Sequence, residues 1–312
     1  MWKLRFGRRR RLVQNAAACV AGATLLGAVA AGGDGGTGGS ASGDLFEHAR
    51  ACSVDPSGNV YVIDGGNSRI VKLSPQWEVL QTAGGYGWTD QAFDHPADVT
   101  APNGLDVYVA DYGNHRIQRL DRDLSLLSSF STRDDADASV RFGYPQGVAQ
   151  SRFGSIFIAD GENRRILKVN TSGSVEQEFG DLGAGEGRLS SPSRIRIGGD
   201  DRVFVLDSNR IVVFDIFGNF IETLGKGYFN HLRSFTVEGK ILFALDSCTL
   251  YALNREGGRV RPPVPVVLSA GPALCEAVDI DVQDDRLYLL TEHRVSVERI
   301  DVDRLRQEDA DK

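Results

Sequence analysis

Between residues 46 and 302 this chain has no nucleophile elbow, no P-loop, no dinucleotide-binding glycine fingerprint, no C-x-x-C pair and no H-E-x-x-H. Each missing motif removes the direct sequence ground for one chemistry: a serine nucleophile on a strained turn, a phosphate cradle, a pyrophosphate site, a redox or zinc-binding thiol pair, a two-histidine zinc site. Positive charge is also scarce. The 35 Lys and Arg are outnumbered by 42 Asp and Glu, a net charge of −7. Six basic residues (Lys3, Arg5, Arg8, Arg9, Arg10, Arg11) fall in the first eleven positions, so the rest of the chain holds 29 against 42, a net of −13. Such a body repels phosphate backbones, which disfavours nucleic acid as a partner.

The N-terminus is what the remainder is not. After its basic run comes an apolar stretch from Ala16 to Ala30, ending in Ala28-Val29-Ala30. A basic region, an apolar region and an A-x-A site read as an export signal spanning 1–30, cleaved after Ala30. The arginine run also allows the twin-arginine route. The competing expectation is an uncleaved anchor over Leu12 to Ala31, long enough to span a bilayer with its basic flank kept inside. No cysteine follows the apolar run, which disfavours a lipid anchor, and Cys19 sits too early for one. Either way the body is expected outside the cytoplasm, periplasmic or extracellular, with membrane contact only through the N-terminal segment. Residues 31–45, rich in Gly and Ser, read as a flexible linker.

The body itself is a repeat. Val60-Tyr61-Val62-Ile63-Asp64 recurs as Val107-Tyr108-Val109-Ala110-Asp111, Ile156-Phe157-Ile158-Ala159-Asp160, Val203-Phe204-Val205-Leu206-Asp207, Leu242-Phe243-Ala244-Leu245-Asp246 and Leu287-Tyr288-Leu289-Leu290-Thr291. A spacing near forty-five with several short strands per unit predicts an all-β, six-bladed β-propeller of four-stranded antiparallel blades over 46–306, followed by a charged tail at 307–312. Each unit reads as a lead-in loop, a short first strand (Asp98 to Ala101 in unit two), a tight turn, the quoted second strand, a third strand and an outer strand. The aromatics Tyr61, Tyr108, Phe157, Phe204, Phe243 and Tyr288 are expected to pack between blades. The third strand of unit six reaches Val302, leaving only Asp303 to Lys312. Either Ser40 to Leu45 supplies its outer strand or that blade is short.

A second pattern follows the repeat strand in four units: Asp64-x-x-Asn67-x-Arg69, Asp111-x-x-Asn114-x-Arg116, Asp160-x-x-Asn163-x-Arg165 and the shortened Asp207-x-Asn209-Arg210. With the Phe-x-x-Pro lead-in, these residues resemble the NHL repeat over about 46 to 302. Unit five (Asp246-Ser247-Cys248-Thr249) has lost Asn and Arg, and unit six (Thr291-Glu292-His293-Arg294) keeps only Arg. The resemblance implies a six-bladed propeller of the NHL or TolB-like kind, and it implies no single activity. Some animal relatives couple such blades to RING and B-box modules and bind RNA or act in ubiquitin transfer. This acidic chain has no upstream zinc module, so those roles are not expected here. The recurring Asp, Asn and Arg are expected to be structural, tying adjacent turns together.

Binding residues are sought on the variable lead-in loops, which share one face with the turns between second and third strands. Tyr86 and Trp88 are candidate anchors for a partner there, with His95, Tyr144 and Arg194 as further candidates. His48, His95 and His231 occupy equivalent lead-in positions and form the one candidate metal set, since NHL-like peptidyl-hydroxyglycine lyases hold a metal in a propeller. Asp134, Asp135 and Asp137 match only a fragment of a calcium loop, which lacks its distal Glu. Arg194 and Arg196 alternate along the fourth first strand and face the central channel, either toward an anionic ligand or neutralised by Asp98 or Asp279. Cys248 and Cys275 fall on one face of adjacent blades and are expected to form a disulfide, with Cys52 a buried free thiol. No cofactor is implied. The expected function is an exported binding or scaffolding module for a protein, peptide or polysaccharide in the cell envelope. The alternative is an enzyme using the central channel, such as a metal-dependent lyase or hydrolase.

Overall fold

The computed structural model describes residues 43–135, 137, 140–254, 264–266 and 271–300. All described residues belong to one compact unit, which lies within Thr37–Lys312. The expected signal over 1–30 and the tail over 307–312 lie outside the described residues.

Among the described residues, twenty-three strands form six antiparallel sheets. Blade 1 holds β1 (Ala49–Val54), β2 (Val60–Asp64), β3 (Arg69–Leu73) and β4 (Val79–Gly84). Blade 2 holds β5 (Pro96–Thr100), β6 (Asp106–Asp111), β7 (Arg116–Asp121) and β8 (Leu126–Phe130). Blade 3 holds β9 (Pro145–Gln150), β10 (Ile156–Asp160), β11 (Arg165–Val169) and β12 (Val175–Phe179). Blade 4 holds β13 (Pro192–Ile197), β14 (Arg202–Asp207), β15 (Arg210–Asp215) and β16 (Phe220–Leu224). Blade 5 holds β17 (Leu232–Glu238), β18 (Ile241–Asp246), β19 (Thr249–Asn254) and β20 (Val264–Val266). A short helix, α1 (Gly271–Glu276), leads into blade 6, which among the described residues holds β21 (Ala277–Gln283), β22 (Arg286–Thr291) and β23 (Val295–Arg299).

The repeated five residues of each second strand are buried, along the whole strand in β2, β10 and β18. A strand covered on both faces needs a continuous apolar run, which is why the repeat shows no polar alternation. The shared aromatic of each blade packs onto the next. Tyr61 joins Val99, Val107 and Val109 of blade 2, and Phe157 joins Ile195, Val203 and Val205 of blade 4. Tyr288 joins Cys52, Val60 and Val62, which returns the ring to blade 1. Each such side chain contributes about 1.5–3 kcal/mol by its burial. The outer strand β4 is exposed along most of its length.

Every first strand opens with a register shift, in blade 2 between Pro96 and Asp98. The strand expected at Asp98 therefore starts two residues earlier. Pro96 pairs opposite Asp111 at the first position of β5, where a residue without an N–H is tolerated. Beyond the bulge, the first strands approach closely around the axis. A Cβ on Gly147 would lie 2.2 Å from the Ser193 carbonyl oxygen of blade 4, so only glycine fits there.

The ring closes through the first strands, with β21 against β1. Asp279 and Asp281 of β21 accept the backbone N–H groups of Cys52 and Val54 at 2.8 Å each. Leu45 and Phe46 donate to the His293 carbonyl in the turn between β22 and β23, at 2.8 and 3.1 Å. Leu45 is thus engaged by that turn and does not extend blade 6 as a strand. The third strand of blade 6, expected to reach Val302, ends at Arg299, after which the Ile300 N–H donates to the Asp285 carbonyl.

Candidate functional site

The repeated Asp is a staple between two segments of its own blade. One carboxylate oxygen accepts a backbone N–H from the lead-in loop: Glu47 to Asp64 at 2.8 Å, Asp94 to Asp111 at 2.8 Å, Gly143 to Asp160 at 3.3 Å and Ser190 to Asp207 at 2.8 Å. The other oxygen takes the arginine, at 2.7 Å from Arg69 Nε, 2.7 Å from Arg116 Nε, 3.1 Å from Arg165 Nε and 2.8 Å from Arg210 Nη2. Asn67, Asn114 and Asn163 donate to the same oxygens at 3.0, 2.8 and 2.7 Å. Asn209 departs from this and accepts the Leu232 N–H of blade 5 at 3.2 Å. All four aspartates are fully buried, where charge-assisted bonds are strong and their loss costly.

In blade 2 the staple reaches further, into the loop that carries Tyr86 and Trp88. Arg116 donates to the carbonyls of Thr89 at 2.9 Å and Ala92 at 2.7 Å, and to that of Trp88 at 3.3 Å. Asn114 donates to the Gly87 carbonyl at 2.8 Å. Gly84 (φ +108°) lets the chain enter this loop, since a Cβ there would lie 2.6 Å from the Phe93 ring. The loop backbone is held, while its Tyr86 and Trp88 side chains stand 72% and 76% exposed.

Tyr144 lies beside a partner that the sequence did not flag. Its ring centroid is 4.2 Å from His115 and 5.0 Å from Tyr112. The Tyr144 N–H donates to His115 Nδ1 at 3.1 Å, which requires that nitrogen unprotonated. Burial, with Arg133 nearby, holds the His115 pKa below its usual value, against the pull of Glu162 and Asp94. His115 occupies the left-handed turn position (φ 52°) held by Ser68 in blade 1 and Arg164 in blade 3. No repeated residue marks that position, so the sequence held no signal for it.

The candidate metal histidines are not brought together. His48 Nδ1 sits 3.0 Å from Glu292 Oε2 in an exposed pair, His95 pairs with the neighbouring Asp94, and the His231 N–H donates to Asp246 at 2.6 Å. Among the described residues no three His, Cys, Asp or Glu side chains are placed to hold a metal ion. That also covers the acidic loop, where the described Asp134, Asp135 and Asp137 are exposed.

Arg194 is engaged by residues of other blades. It crosses the axis from blade 4, with Nη1 2.8 Å from Asp279 and 3.5 Å from Asp98, and Nη2 donating to the Arg50 carbonyl at 2.6 Å. Arg196 lies 3.4 Å from Asp98 and 3.8 Å from Asp279. Burial pushes the Asp98 carboxyl above its usual range, against Arg196 and Arg194. The two arginines are neutralised by the carboxylates that also bind neighbouring strands, so the axis is occupied by ion pairs at this level. Cys52 is buried and free, and burial pushes its thiol up, which makes it inert. Cys248, in the turn after β18, and Cys275, in α1, are joined as a disulfide.

Comparison with known proteins follows the same lines. The NHL repeat family matches residues 93–120, which run from the blade 2 lead-in to the end of β7. Protein brain tumor from Drosophila melanogaster is 28% identical over 106 residues, a match covering 32% of this chain and 10% of that protein. This chain thus spans about a tenth of that relative's length. A solved streptogramin B lyase superposes with a TM-score of 0.61 at 13% identity, over 84% of this chain and 97% of that one. Virginiamycin B lyase from Staphylococcus aureus gives 0.56 at 14%, over 80% and 79%. At such identities the likeness to the two lyases is one of fold. The chain is thus a six-bladed β-propeller whose blade 2 matches the NHL repeat, and whose stapled turns in blades 1 to 4 share the Asp and Arg of that blade.

Proposed function

We propose that this propeller is an exported binding or scaffolding module of the cell envelope, holding a protein or peptide on the face made by its lead-in loops. The observation that carries this reading is the blade 2 loop, where Tyr86 and Trp88 are exposed on a backbone fixed by Arg116 and Asn114. Large rigid aromatics on a pre-ordered loop lose little entropy on binding and serve as anchor residues. Tyr144, seated against His115 and Tyr112, extends the aromatic surface. The export reading rests on the basic and apolar N-terminal segment, and the acidic body argues against nucleic acid. A channel enzyme has weaker support, because Arg194, Arg196, Asp98 and Asp279 engage one another on the axis.

The test is affinity capture from the host envelope fraction with the full chain. A discrete protein held by the wild type and weakened at least about tenfold by the pair Tyr86→Ala and Trp88→Ala supports the reading. Retention of every partner by that double variant, with its fold intact, would move the binding surface elsewhere. Mass analysis of the protein recovered from that fraction tests cleavage after Ala30.

A further inference from the structure

The face opposite the lead-in loops carries a cleft that the reading above does not use. The turns between first and second strands of blades 2, 3 and 4 enclose about 620 Å³ there, a volume in the ordinary range for a small-molecule site. Pro102, Ser151 and Gly198 line it just past the ends of β5, β9 and β13, so the cleft sits where three first strands leave the ring.

Its polar groups are under-used by the protein. Asn103 Oδ1 accepts the N–H groups of Leu105 and Asp106 at 2.9 Å each, which fixes the amide. Its Nδ2 has only long contacts, 3.4 Å to Gln150 and 3.5 Å to Asp106. Gln150 Nε2 lies 3.5 Å from the Tyr108 hydroxyl. These lengths are at the limit of a hydrogen bond. The buried Ser151 Oγ and Asp201 Oδ1 have no hydrogen-bond partner within the protein, and a buried orphan of this kind calls for an explanation. Above them Phe153 is 66% exposed, with the Arg152 guanidinium 4.9 Å from its ring centroid.

Charge narrows the occupant. Arg152, the cation lining the cleft, is paired with Asp201, so an anionic ligand finds no uncompensated partner. An apolar ligand would leave the amides of Asn103 and Gln150 unsatisfied. Hydroxyl groups both donate and accept, as amides and an Arg–Asp pair require, and the apolar face of a sugar ring suits an exposed phenyl ring. We infer that this cleft binds a neutral saccharide, with Phe153 as its platform and Asn103 and Gln150 as its hydroxyl partners. The site is separate from the proposed partner face and does not depend on it.

The experiment is titration of the full chain with three neutral tetrasaccharides, cellotetraose, chitotetraose and maltotetraose, followed by calorimetry and ligand-observed NMR. The expected result is saturable binding of at least one, weakened about tenfold or more by Phe153→Ala and by Gln150→Ala, and unchanged by Leu182→Ala. Gln150→Ala keeps the test decisive if Phe153→Ala disturbs folding. No binding of any of the three overturns the inference. So does binding that both variants retain, or competition by inorganic phosphate.

Discussion

Blades 1 to 4 and blades 5 to 6 solve one problem by different means. Every blade must tie the turn after its second strand to the loop leading into its first. Blades 1 to 4 do so with a buried carboxylate that holds a lead-in N–H and an arginine at once. Blade 5 keeps the acceptor, since Asp246 takes the His231 N–H, but Cys248 and Thr249 stand where blade 4 has Asn209 and Arg210. Its turn is instead tied onward to the lead-in of blade 6, by the covalent link from Cys248 to Cys275 and by Arg233 donating to the carbonyls of Leu274 and Cys275 at 2.8 and 2.9 Å. Where the arginine is lost, the turn gains a tie to the neighbouring blade.

The comparison breaks most sharply at the carboxylates. Asp111→Ala strands a mostly buried Arg116 and should cost about 3–5 kcal/mol. Asp246→Ala loses only backbone partners at Asn230 and His231, about 1–3 kcal/mol. Denaturant unfolding checks both, and equal losses would mean the arginine adds nothing. Next comes the disulfide. Replacing Cys248 and Cys275 by Ser opens a link of sequence separation 27 and should cost about 3 kcal/mol in the loop-entropy picture. Reduction of the wild type should lower its thermal midpoint by a similar amount and leave the double variant unmoved.

A gain sharpens the comparison further. Thr249 pairs opposite Asp246 as Arg210 pairs opposite Asp207. In the disulfide-free background, Thr249→Arg should recover about 1 kcal/mol, read from the same unfolding curves. The smallest effect is titration of the blade 2 turn. The folded His115 pKa lies below the ordinary 6.5, so as pH falls through 6.5 the unfolded chain takes the proton first and stability drops. Above that value the contribution is fully present. His115→Ser, the residue blade 1 uses there, should flatten this part of the stability–pH curve relative to the wild type.

Much of the fold was legible because each blade repeats a local rule. The second strands were located by their apolar runs. The first strands were read short, because the bulge after Pro96 hides a paired residue behind a proline. Tyr86 and Trp88 stood out as aromatics on a variable loop. His115 and the cleft around Phe153 did not, since neither is a motif and the cleft is assembled from turns of three blades. Arg194 was weighed both as a surface candidate and as a channel residue, and only its partners decide between those.

The amino-acid sequence alone determined the six blades, the buried aromatic of each, and the recurring Asp, Asn and Arg. A strand covered on both faces and a turn repeated in register leave a periodic trace that needs no knowledge of distant residues. The tertiary structure alone decided how the ring closes through Asp279 and Asp281, that Arg194 meets both Asp98 and Asp279 at once, and that a cleft exists between three turns. Arg194 meets partners 96 and 85 residues away. Such pairings are set by the curvature of the closed ring, and no local pattern in the chain records them.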